Sequence, residues 1–105
     1  MSIHVGDTVL IKSWDEMAKE YGTSYSNDVI ECPNMVFTRT MDFLCNQLLT
    51  VRDFYSLGSH LSIPTYEFKF KEECANEFII TNFMIKRVVN APAQVQQNIK
   101  SLFED

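Results

Sequence analysis

The 105-residue chain predicts a small, mainly β fold of the α+β class: a barrel or strongly bent sheet with short inserted helices and a C-terminal helix. Three observations predict it. Tyr66-Glu67-Phe68-Lys69-Phe70-Lys71 alternates strictly, so its aromatic rings share one strand face and its charges the other. Short β-rich runs follow one another closely, separated by Gly, Pro, Asn and Ser turn signals. The helical stretches between the early strands are only one or two turns long, too short for the crossovers of a parallel sheet.

The elements follow in order. Val5-Gly6-Asp7 is turn-like, and Thr8-Val9-Leu10-Ile11-Lys12 is a β-rich run. Ser13-Trp14-Asp15-Glu16 has the form of a capping box, and the two acids suit the positive end of a helix dipole. A helix is therefore expected over Trp14–Tyr21, with Trp14, Met17, Ala18 and Tyr21 as its apolar stripe and Gly22 as its cap. Residues 23–28 read as a loop, and Val29, Ile30 and Cys32 as an extended piece ended by Pro33-Asn34. Thr38 caps a second short helix over residues 39–45, closed by Asn46 in a left-handed turn. Residues 48–54 read as a strand. Residues 56–64 read as a polar turn region with Gly58 at its tip. After the alternating run, residues 72–76 form a loop, 77–81 a strand, 82–84 a tight turn and 85–89 a last strand. Asn90-Ala91-Pro92 opens the terminal helix, where Val95, Ile99, Leu102 and Phe103 recur at helical spacing. The domain reading is one unit over 1–105, with the barrel at 5–89 and the terminal helix at 90–105.

The run from Val5 to Gly22 is similar to the opening of a family of small phage and prophage proteins. The resemblance continues through Ile30-Glu31-Cys32, Phe37-Thr38-Arg39-Thr40-Met41, Leu44-Cys45-Asn46 and Thr50-Val51, and closes on the run from Phe78 to Ile85. It covers residues 5–89 and implies an SH3-like barrel, akin to the SH3-type repeats of mind-bomb ubiquitin ligases, in a phage setting. It implies no activity. The chain departs from the family pattern in three places: Asn46 stands where a glycine is expected, the 54–76 segment is longer, and the segment after Asn90 is added.

Composition narrows the function classes. Apolar residues are 46% and charged residues 22%, which is globular rather than disordered composition. Fourteen acids against nine bases give a net charge of −5, which disfavours free nucleic acid and anionic membranes as partners. The N-terminal Met1-Ser2-Ile3-His4 does not read as a signal peptide, and no run is long and apolar enough to span a bilayer. The expected location is the host cytoplasm, where Cys32, Cys45 and Cys74 stay reduced; their odd number and wide spacing do not form a disulfide framework.

No residue pattern advertises catalysis. The cysteines lack the paired spacing that structural zinc needs, so no metal and no cofactor are expected. A Cys–His nucleophile has no local signature here, with only His4 and His60 to serve it, and His60 reads as an exposed loop residue. The Tyr66, Phe68 and Phe70 rings would suit base stacking, but Lys69 and Lys71 lie on the opposite face, so a core role is favoured. Trp14 reads as an anchor of the first helix rather than a ligand clamp.

The acids concentrate in residues 1–31, which carry a net −4. This is either a solvated face or a surface that docks on a basic groove. The partner-binding candidates are Asp15, Glu20, Asp28 and Glu31, with Tyr25, Tyr55 and His60. The expected function is a non-enzymatic phage accessory protein that binds and inhibits a host protein, such as one that handles nucleic acid in defence; an anti-CRISPR-like inhibitor is its most concrete form. The alternatives are a small-ligand or nucleotide-binding module, homodimeric in one version, and a virion structural component. Charge reversal at the four acids is expected to leave the fold intact.

Overall fold

In the computed structural model of the chain, residues 2–89 are described. The expected terminal helix at 90–105 lies outside them. The described chain is a mainly β α+β domain with two antiparallel sheets.

Strand β1 (Thr8–Ile11) leads to helix α1 (Trp14–Tyr21). The helix begins where its capping box closes: Ser13 Oγ accepts from the Glu16 N–H at 3.1 Å, and Glu16 Oε1 accepts from the Ser13 N–H at 3.0 Å. It ends at Gly22, whose φ of +87° glycine takes without strain. Strands β2 (Thr23–Ser24), β3 (Val29–Ile30) and β4 (Phe37–Thr38) form the small sheet in the order β2-β3-β4. The expected second helix is a 3₁₀ segment, Arg39–Leu44, followed by Asn46 at φ +63° as its left-handed exit.

Strand β5 (Leu48–His60) and strand β6 (Ile63–Phe70) form a long hairpin. Strands β7 (Ile80–Thr81) and β8 (Ile85–Val88) complete the large sheet in the order β7-β6-β5-β1-β8. That order is open, with β7 and β8 at its edges. The expected strand at 77–81 shrinks to β7 because Glu73–Glu77 is itself a 3₁₀ turn.

The turn region expected at 56–64 is overturned. Residues 56–60 continue β5, and Gly58 sits where the register shifts rather than at a tip. Its φ of +99° belongs to a bulge, not to the chain reversal. The reversal falls on Leu61-Ser62, both with positive φ (50° and 69°), between the paired His60 and Ile63. The strand pairing therefore outweighs the local polarity that suggested a loop.

The core lies between the sheets and α1. Val9, Ile11, Met17, Ile30, Phe37, Val51, Phe70, Ile80 and Met84 are fully buried. Each such side chain stabilises the fold by about 1.5–3 kcal/mol on leaving water. Phe68 and Phe70 are in this core as their alternation predicts, with Tyr66 packed on its margin. Among the described residues no helix is long and apolar enough to cross a membrane.

Candidate partner-binding surface

Two turn tips put large side chains into solvent on strained backbone. Tyr25 opens the β2–β3 turn at φ +51°, ahead of Ser26 at +57° and Asn27 at +69°, and is 79% exposed. Leu61 heads the β5–β6 reversal at φ +50° and is 83% exposed. Left-handed backbone costs an ordinary residue roughly 1–2 kcal/mol, and an exposed large apolar side chain recovers none of that in the monomer. Phe54, Tyr55, Leu57 and Ile63 are exposed on the same hairpin as Leu61.

Beneath that hairpin runs a groove of about 660 Å³ walled by the rings of Tyr21, Phe54, Tyr66, Phe68 and Phe83. Phe54 lies 5.8 Å from both Tyr66 and Phe68, and Phe83 meets Tyr21 edge-on at 6.4 Å. Lys12, Glu20 and Lys86 bring charge to its wall. Lys12 Nζ donates to Glu20 Oε1 at 2.8 Å and to the Tyr21 hydroxyl at 3.0 Å. Burial pulls the Lys12 pKa down, but those two bonds outweigh it and hold the ammonium above its usual range. Tyr21 passes its own proton toward the Phe83 carbonyl at 3.0 Å, and burial raises its pKa. Lys86 pairs with Glu16 at 3.0 Å.

The structure divides the seven expected site residues. Tyr25 and Asp28 share the β2–β3 turn, and Glu31 follows β3, where its carboxylate accepts from the Ser24 hydroxyl. Asp15 borders a shallow depression with Lys19, Asn27 and Arg39, while Glu20 lies on the aromatic groove. Helix α1 thus separates the two acids, and Lys12, Lys19 and Arg39 interrupt the acidic face. Charge reversal is not neutral everywhere: Glu20→Lys would set an ammonium against Lys12. Tyr55 is exposed on β5, its hydroxyl donating to Asp53 Oδ2 at 2.9 Å, a bond that raises its pKa. His60 is not a free loop residue. It ends β5 half-buried, with its ring 6.2 Å from Phe83.

Trp14 is an anchor, as expected: it packs at 6.0 Å from Phe37, and the Arg39 guanidinium covers its ring at 3.7 Å. Cys32 is buried, and desolvation pushes its thiol up to about 12; Cys45 is pushed up to about 11 for the same reason. Both are uncharged thiols at neutral pH and poor nucleophiles. Among the described residues no three His, Cys, Asp or Glu side chains gather as a metal site.

Sequence reading missed Leu61, Leu57, Phe54 and the groove residues Phe83 and Lys86. Leu61 lies in a Ser- and His-rich stretch with no hairpin-turn dipeptide, so nothing local announces it. No protein-family model, curated protein or solved structure matches the chain.

Proposed function

We propose that this chain is a non-enzymatic binding protein that captures a partner protein with its two exposed turn tips. The observation that carries the reading is Leu61: its left-handed backbone carries a conformational cost, and at 83% exposure the side chain offsets little of it by burial within the monomer. Tyr25 repeats the arrangement at the other tip. Aromatic side chains such as tyrosine, seated in a partner's pocket, are a common source of interface energy. Asp28, beside Tyr25 in the same turn, favours a partner surface with basic character.

The resemblance to small phage proteins supplies the setting. In it, the chain is an accessory protein in the host cytoplasm that occludes a host protein, with an anti-defence, anti-CRISPR-like inhibitor as its concrete form. Its architecture is then read as an SH3-like barrel; antiparallel strands around one core support that reading, while the large sheet itself is open.

The test is a comparison of two baits in host lysate: the wild type and the Tyr25→Asn/Leu61→Asn double variant. Asparagine suits left-handed backbone, so the variant keeps the fold while losing both anchors. The expected result is a host protein retained by the wild type and depleted at least tenfold with the variant, whose denaturation midpoint stays equal or rises. Equal capture by both baits defeats the reading.

A further inference from the structure

We propose that the outer edge of β5, from Phe54 to His60, pairs antiparallel with the same edge of a second copy of this chain. Three observations carry this. The first is the edge itself. Strand β1 pairs with β5 only through Leu48, Leu49 and Thr50, and the chain before β1 follows it as far as Val51, whose carbonyl accepts the Gly6 N–H at 2.8 Å. Past Val51 no described strand pairs with that side of β5. There the Phe54 N–H donates to its neighbour's Asp53 Oδ1 at 2.9 Å, a local bond of the kind an edge makes when no strand stands beside it. The other edge of the hairpin is occupied: β7 pairs with Glu67 and Phe68, and Asn82 accepts the Tyr66 N–H at 2.9 Å.

The second observation is charge. No Asp, Glu, Lys or Arg stands between Phe54 and Tyr66, although 22% of the chain is charged. Sheet proteins guard an open edge with lysines, prolines or bulges. From Phe54 to His60, β5 has no lysine and no proline, only the bulge at Leu57 and Gly58, and Phe54, Tyr55 and Leu57 are exposed along it. The third is the fit of the edge to itself. A foreign strand must bring an open edge of matching length, whereas a two-fold axis supplies one with the same length and the same outward groups. Each copy carries a net −5, which opposes contact over most of the surface. At this edge the facing residues come from one uncharged set, so no like charges meet. With the axis at Leu57, bulge faces bulge and Phe54 stands opposite His60 with no slip in register.

This inference goes beyond the turn-tip reading, because the paired edge includes neither Tyr25 nor Leu61 and its test needs no host protein. The experiment is sedimentation equilibrium of the full chain up to millimolar concentration, with isotope-filtered NMR on a mixture of labelled and unlabelled chains. The expected result is a reversible rise from 12.2 kDa to twice that mass, with cross-peaks between residues 54–60 of the two copies. Leu57→Lys sets two ammonium groups against each other at the axis and should weaken association at least tenfold, while the amide shifts of β1 and β8 stay in place. Leu61→Asn leaves the edge whole and should associate as the wild type does, so failure here is distinct from failure of turn-tip capture. The mass of one chain throughout the range overturns the proposal. So do intermolecular cross-peaks confined to other surfaces, undiminished association in Leu57→Lys, and association lost in Leu61→Asn.

Discussion

The side-chain amide of Asn76 pairs with both backbone groups of Phe70: its Oδ1 accepts the Phe70 N–H at 2.7 Å, and its Nδ2 donates to the Phe70 carbonyl at 2.8 Å. This is the pattern a neighbouring strand would supply. Asn82 holds the same edge four residues away on β6, accepting the Tyr66 N–H at 2.9 Å and donating to the Pro64 carbonyl at 3.0 Å. Between them β7 contributes only Ile80 and Thr81, paired with Phe68 and Glu67. Two asparagines thus extend a two-residue strand along most of β6. Asn76→Ala leaves both groups of a fully buried residue unmet, each costing about 1–3 kcal/mol, so we expect a loss of about 2–6 kcal/mol. The denaturant midpoint measures it; a shift near zero means that water replaces the amide.

The thiols should differ sharply in reactivity. Cys32 and Cys45 carry pKa values pushed by burial up to about 12 and about 11, while Cys74 is exposed. At pH 8 the two raised thiols hold almost no thiolate, the reactive form. Alkylation of the native protein at that pH should label one site per chain, at Cys74, and all three sites only in denaturant. Labelling of Cys32 at the rate of Cys74 would contradict the burial that sets its pKa.

Acid should weaken the first helix in a defined window. The Ser13 N–H, with the Lys86 ammonium, holds the Glu16 carboxyl below its ordinary value of 4.5. A depressed carboxyl contributes stability that is complete above its unfolded pKa and is lost as pH falls through the folded one. Glu16→Gln keeps the acceptor for the Ser13 N–H but drops the charge. The variant should therefore be less stable than the wild type at pH 7, and the gap should narrow as pH falls below 4.5 and through the lower folded-state value. Thermal melts at pH 7 and pH 3 read this directly, and a gap that is no smaller at pH 3 than at pH 7 refutes the electrostatic origin.

Much of the fold is legible wherever a local signal and the packed structure agree. The capping box at Ser13 and Glu16 sets the helix start, Gly22 its end, and the alternation from Tyr66 to Phe70 the buried face of β6. The signals fail where long-range pairing supplies what local chemistry lacks. Residues 56–60 look like a loop by polarity, yet they pair across to Ile63 and Tyr66. The strand expected at 77–81 is cut short because Asn76 and Asn82, not backbone, hold the β6 edge. At the candidate surface, Tyr25, Tyr55 and Asp28 were within reach of composition and exposure arguments. Which surface each of Asp15 and Glu20 joins was not, since it depends on which way α1 faces the sheet.

The hairpin reversal makes the sharpest stability prediction. Leu61 and Ser62 both occupy left-handed backbone in a two-residue connection between His60 and Ile63. Such connections favour Asn-Gly, because asparagine tolerates the first position and glycine takes the second without a Cβ penalty. Leu61 is 83% exposed, so replacing it removes little buried surface. Leu61→Asn with Ser62→Gly should raise stability by about 1–2 kcal/mol, read as a higher guanidinium midpoint at an unchanged slope. The same change removes an anchor from the proposed contact surface. A gain in stability with a loss of capture is the trade expected when backbone strain is retained for binding. A fall in stability would mean that Leu61 packs within the monomer, and the strain would then have a structural cause.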